Sequence, residues 1–145
     1  MTVKPVPDGY HTVTPYLVVR GVTDLIHFLQ RAFDAREISR TRLPDGSIMY
    51  AEVRIGDSLI MLGEAAENTP PMPAMLHLYL EDTDAAYRRA LAAGATSLRE
   101  PEDQFYGDRT AGVQDAFGNQ WWLATHIEDV SAEEIQRRAD AQTRK

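Results

Sequence analysis

Cysteine is missing from all 145 residues. Its absence removes thiol nucleophiles, disulfides and thiolate metal sites together, and it leaves the redox compartment unmarked. Long hydrophobic runs are missing too. No apolar stretch approaches the roughly 18 residues that a membrane span needs, and no basic-then-apolar leader opens the chain. Positive charge is scarce: 15 Lys and Arg face 22 Asp and Glu, for a net charge of −7. That balance excludes a general nucleic-acid binder, because nothing neutralises phosphates. No serine sits in a GxSxG elbow, and neither a P-loop nor an HExxH pair occurs. What remains is 43% hydrophobic, enough at this length to bury roughly 70% of the unfolded surface without staples. The expectation is a soluble, cytoplasmic globular protein with no membrane or nucleic-acid partner.

Alternation and punctuation place the elements. His11 to Val19 is rich in Thr, Val, Tyr and Leu and reads as a strand. Thr23 stands at an N-cap position before Leu25, Ile26, Leu29, Ala32 and Phe33, which recur at helical spacing. Glu37 to Arg42 suits a short strand and Pro44-Asp45-Gly46 a turn. Ile48 to Ile55 and Ser58 to Leu62 form a hairpin about Gly56-Asp57. Residues 64–74 carry Pro70, Pro71 and Pro73 without periodicity and read as a linker.

The same order then begins again. Met75 to Leu80 alternates as a strand, and Thr83 caps a helix through Ala93 with Gly94 at the C′ position. Thr96 to Arg99 is a strand, Pro101 to Gly107 a turn region, and Thr110 to Gln114 another strand. Asp115 to Asn119 turns into a last strand, Gln120 to Thr125. Ser131 and Glu134 make a capping box for a helix to Thr143. The result is an α+β fold in which βαβββ occurs twice. It is read as one domain over 1–145, with modules at about 11–63 and 75–126 and a C-terminal helix over 131–143.

A duplicated βαβββ module closed by Asp115-Ala116-Phe117-Gly118-Asn119-Gln120-Trp121-Trp122 resembles the glyoxalase/bleomycin-resistance/dioxygenase group, the vicinal oxygen chelate superfamily. Thr14-Pro15-Tyr16-Leu17, the stretch from Ala51 to Asp57 and the stretch from Leu76 to Asp82 support it. Tyr106-Gly107-Asp108-Arg109 and Ala124 to Asp129 resemble one branch of that group. The resemblance implies two modules whose sheets curl around a shared cavity, in a homodimer. It also implies four strand-borne His, Glu or Gln ligands for a divalent metal. The matching positions here are Thr14, Met61, Met75 and Trp122, none of them a suitable donor. No cofactor is therefore expected and catalysis is left open. A substitute metal set of His77, Glu52 and either His11 or His126 lacks any HxH or HxxxH spacing.

Strand alternation supplies a candidate ligand surface. Leu76, Leu78 and Leu80 turn to the core, leaving Met75, His77 and Tyr79 opposite. Trp121 and Leu123 turn inward, leaving Gln120, Trp122 and Ala124. Met49, Ala51, Val53 and Ile55 suit the core, leaving Tyr50, Glu52 and Arg54. The resulting ligand-binding set is Tyr16, Glu52, Arg54, His77, Tyr79, Gln120 and Trp122, the mixture of aromatic walls and sparse polar groups that small-molecule pockets use. Glu52 and Arg54 also suit a plain ion pair. Arg109 suits either an anion or a salt bridge to Asp108 or Asp115. The favoured function is metal-free binding of an aromatic or cationic small molecule. Two readings stay open beside it: a divalent-metal lyase, isomerase or dioxygenase, and metal-free acid–base catalysis by Glu52 or His77.

Overall fold

A computed structural model describes residues 2–143. Met1, Arg144 and Lys145, inside the expected 1–145 domain, lie outside the described residues. The chain forms two compact units. One runs through Ala74 and takes in Ala116–Gly118; the other comprises Met75–Asp115 and the residues from Asn119 onward. Both are α+β, and each holds one four-stranded sheet.

The first unit contains β1 (Tyr16–Val19), α1 (Val22–Phe33), β2 (Arg36–Arg42), β3 (Ile48–Ile55) and β4 (Ser58–Glu64). The strand order is β1-β4-β3-β2, with β1 parallel to β4 and the other pairs antiparallel. The apolar stripe of α1 packs on β3 and β4. Leu25, Leu29 and Ala32 are fully buried there, as are Ala51, Val53 and Leu62. Truncating a leucine in such a core costs about 2–5 kcal/mol.

Three expectations change in this unit. The first strand begins at Tyr16 rather than His11, because Pro15 has no amide to donate and serves only as acceptor for Met61 N, at 3.0 Å. Thr23 does not cap α1. The N-cap is Gly21, and the cap comes from β4: the Glu64 carboxylate accepts from Gly21 N at 3.0 Å and Val22 N at 3.0 Å. Met49 is exposed while Ile48 is buried. The pairing explains this, since Thr41 faces Tyr50 but Arg42 faces Ile48. Met49 is the extra residue of a bulge, which reverses the alternation.

The second unit contains β5 (Met75–Tyr79), α2 (Thr83–Ala92), β6 (Thr96–Asp103), β7 (Asp108–Gln114), β8 (Gln120–His126) and α3 (Ala132–Thr143). Its order is β5-β8-β7-β6, the same plan as the first. Trp121, Leu123, Ala111 and Val113 are fully buried under α2, which packs on β6, β7 and β8. Gly94 follows the C-cap Ala93 with φ +109°, a conformation open to glycine. No helix among the described residues is long and apolar enough to cross a membrane.

Here too the structure departs from the sequence reading. Asp82, not Thr83, caps α2, its carboxylate accepting from Ala85 N at 3.0 Å. Thr83 is buried and its hydroxyl meets Thr125 Oγ1 at 2.8 Å. β6 runs on through Pro101, which an edge strand tolerates where the register already shifts, between Arg99 and Glu102. Half of the capping box forms: Ser131 Oγ accepts from Glu134 N at 3.1 Å. The Glu134 carboxylate binds Arg137 and Arg138 instead of the cap amide. Arg137 foremost holds its pKa down to about 2.

Candidate functional site

In the first unit, pairing sets Tyr16, Met61 and Glu52 in one row across β1, β4 and β3. Tyr16 lies over Gly63, where a Cβ would stand 2.5 Å from the phenol oxygen. Only a hydrogen fits there. The Tyr16 and Tyr50 rings stand 6.1 Å apart. Glu52 accepts a hydrogen bond from Tyr10, a residue that no sequence pattern singles out. Burial first, and Glu52 next, push both the Tyr10 and Tyr50 phenols above their usual range. No ion pair joins Glu52 to Arg54 among the described residues. The Arg54 guanidinium instead reaches Gly9, lying 3.3 Å from where a Cβ would be.

In the second unit, His77, Trp122, Gly112 and Arg99 form a row across β5, β8, β7 and β6. The indole of Trp122 spreads over Gly112, donates from Nε1 to Gln120 Oε1 at 3.0 Å and carries the Arg99 guanidinium 4.9 Å from its centroid. Arg99 is anchored on Thr110 Oγ1, while its Nε is buried and finds no acceptor among the described residues. His77 packs edge-on to Tyr79 at 5.1 Å. Met75 and Tyr79 are exposed as alternation required, whereas Ala124, expected beside Trp122, is fully buried.

A cluster unseen in the sequence lies at the ends of β5, β7 and β8. Tyr79 donates to Asp108 Oδ2 at 2.8 Å. His126 Nδ1 meets Asp108 Oδ1 at 2.8 Å and its Nε2 meets Asp129 Oδ1 at 2.7 Å. Asp108 is 4% exposed. Burial works to raise its pKa, but hydrogen bonds from His126 and Tyr79 outweigh that and lower it. The Asp108 and Asp129 carboxylates raise the pKa of His126, and Asp108 raises that of Tyr79. Arg109 is committed elsewhere, to Asp84 at 2.7 Å and Asp103 at 2.9 Å. Asp115 instead closes its own turn, accepting from Asn119 N at 3.0 Å and Trp121 Nε1 at 2.9 Å.

The model of the Glyoxalase/Bleomycin resistance protein/Dioxygenase superfamily matches residues 10–123. The chain belongs to that superfamily. It is 37% identical over 141 residues to the uncharacterized protein Mb0911c of Mycobacterium bovis, covering 90% of this chain and 93% of that one. Among solved structures, TioX from Micromonospora sp. ML1 superposes with a TM-score of 0.65 at 21% identity, covering 79% of this chain and 99% of that one. The fosfomycin resistance protein FosX from Mesorhizobium loti gives 0.60 at 18% identity, covering 86% and 95%. At such identities these two show the fold alone.

The superfamily's metal site implies a donor from each of four strands, and the residues present do not fit one. Thr14 precedes β1 altogether. Tyr16 pairs with Met61 in the first unit and His77 with Trp122 in the second, so the neighbouring positions are a phenol and a thioether on one sheet and an imidazole and an indole on the other. A thioether is soft and an indole N–H has no lone pair to give. The substitute donors are engaged elsewhere, Glu52 with Tyr10 and His126 with two aspartates. Among the described residues no three His, Cys, Asp or Glu side chains gather to hold a metal ion.

Proposed function

We propose that this superfamily member binds a planar organic molecule, without a metal ion, on the sheet face that carries Trp122. The observation that supports this most is the fixed indole: Gly112 gives it room, Gln120 holds its N–H and Arg99 lies across it. A ring ordered before binding spares the ligand an entropy cost. Stacking on it adds about 0.5–1.5 kcal/mol beyond burial. Arg99 repels a cation from this face, so a flat ligand with a carbonyl or carboxylate acceptor suits it better. His77 and Gln120 supply directional contacts beside the ring, with Tyr79 at the margin. Tyr16, Glu52 and Arg54 belong to the same reading as ligand contacts on the first unit's own face. The reading also places the chain in the cytoplasm as a homodimer, which fractionation and light scattering test.

The decisive experiment is a thermal-shift screen of planar aromatic compounds in the presence of a chelator. A ligand that binds only the folded state raises the melting temperature. The expected result is a saturable rise in wild type that is lost in Trp122→Ala. An equal rise in the variant overturns the proposal, as does about one equivalent of a divalent metal that co-purifies and is lost in His77→Ala.

A further inference from the structure

The ends of β5, β7 and β8 and the start of α3 line an open cavity of about 480 Å³. Its position follows from Gly107. That residue has φ +101°, and a Cβ there would lie 2.2 Å from Glu128 O. The Gly107 carbonyl accepts from Ile127 N at 2.9 Å and Glu128 N at 3.0 Å. These contacts fold the segment before α3 against the turn that carries Tyr106. Arg138 fastens the helix with bonds to Phe105 O at 2.9 Å and Glu128 at 2.9 Å.

The cavity has three kinds of wall. Tyr79 and Tyr106 provide aromatic rings, Val130 and Ile135 an aliphatic side, and Asp108 and Asp129 carboxylates with His126 between them. The nearby guanidiniums are spent on other acids, Arg109 on Asp84 and Asp103, Arg138 on Glu128 and Glu134. The α3 amides of Glu134 and Ile135 are taken up by Ser131. Two carboxylates against one imidazole leave a net negative charge even when His126 is protonated. Aromatic faces attract cations by their quadrupole. An apolar wall opposite lets a hydrocarbon skeleton desolvate.

We propose that this cavity binds a protonated amine on a compact apolar skeleton, with its ammonium held by Asp129 and the tyrosine rings and its skeleton laid on Val130 and Ile135. This site shares Tyr79 with the margin of the Trp122 face but draws its charge from Asp108 and Asp129. His126 makes it pH-sensitive. The titratable groups that share the cavity with the imidazole are Asp108 on β7, Tyr79 on β5, Tyr106 in the turn and Asp129 before α3, with His77 acting on Asp108 from β5. With Nδ1–H donated to the buried Asp108, the proton that leaves is the one on Nε2. Asp129 then loses its partner, and Nε2 becomes an acceptor for the ammonium. Binding tightens as pH rises through this step.

The test is calorimetric titration of the full chain with benzylammonium, benzyl alcohol and benzoate, at about pH 5.5 and about pH 8, with amide chemical shifts to locate the site. Saturable binding of benzylammonium alone is expected, several-fold tighter at the higher pH. Shifts should concentrate in residues 106–108 and 126–135. Asp129→Asn, at a side chain that is fully exposed, should weaken binding several-fold. Tyr106→Leu, which keeps bulk but removes the π face, should weaken it as well. Equal binding of benzoate or benzyl alcohol overturns the proposal, and so do an unaffected Asp129→Asn, shifts centred elsewhere, or no saturable binding of the amine.

Discussion

The indole of Trp122 occupies the space that a side chain at position 112 would need: a Cβ on Gly112 would lie 2.6 Å from Trp122 Cζ3. Gly112 is not there for its backbone freedom, since its φ is not positive. It is there because β7 must carry nothing where β8 lays its largest ring. Gly112→Ala should therefore lift the indole off the sheet. The expected stability loss is about 1–3 kcal/mol, the cost of overpacking, and ligand shifts that depend on Trp122 should fall with it. Combining Gly112→Ala with Trp122→Ala should cost less than the two single losses added, read as a coupling in urea melts.

Asp115 is the acceptor for the whole β7–β8 turn. Its buried carboxylate takes Asn119 N, Asn119 Nδ2 and Trp121 Nε1. Asp115→Ala removes three buried acceptor contacts at once, at about 1–3 kcal/mol for each donor left unsatisfied. A total loss of about 3 kcal/mol or more is expected in urea unfolding. Trp121→Phe, which removes one donor together with part of the ring, should cost less.

Glu64 caps α1 from a neighbouring strand. Glu64→Ala should destabilise by about 1 kcal/mol, the usual worth of a helix cap, while Thr23→Ala should leave stability nearly unchanged. Reversing that order in denaturation midpoints would refute the assignment of the cap.

The His126–Asp108 contact sets a pH window. His126 has a raised pKa, so its stabilisation is complete below the unfolded value of 6.5 and is lost as pH rises through the folded value. Asp108 has a lowered pKa, so its share is present above 3.8 and is lost as pH falls through the folded value. Unfolding free energy should decline from mildly acid to mildly alkaline pH in wild type. In His126→Gln that decline should flatten, as urea melts across the range would show.

Local chemistry was legible in the sequence wherever neighbours along the chain settled it. The alternation of Trp121 and Leu123 against Gln120 and Trp122 follows from period two. The hairpin at Gly56-Asp57 and the stop at Gly94 follow from turn and cap chemistry. Illegible were the contacts that topology alone brings together. Glu64 reaches Gly21 across 43 positions because β4 lies beside β1. Tyr79 reaches Asp108 across 29 positions, and Tyr10 reaches Glu52 across 42. Arg99 has no legible face because Pro101 signals the end of the strand, whereas β6 runs on to Asp103. Met49 breaks the alternation through a bulge that only the pairing with β2 reveals.

The central claim is metal-free binding of a flat organic molecule on Trp122, and calorimetric titration of a hit from the planar-compound screen into chelator-treated protein tests it most directly. The account predicts saturable binding that persists in the chelator and disappears in Trp122→Ala. Binding that requires an added divalent metal, or that survives loss of the indole, would contradict it.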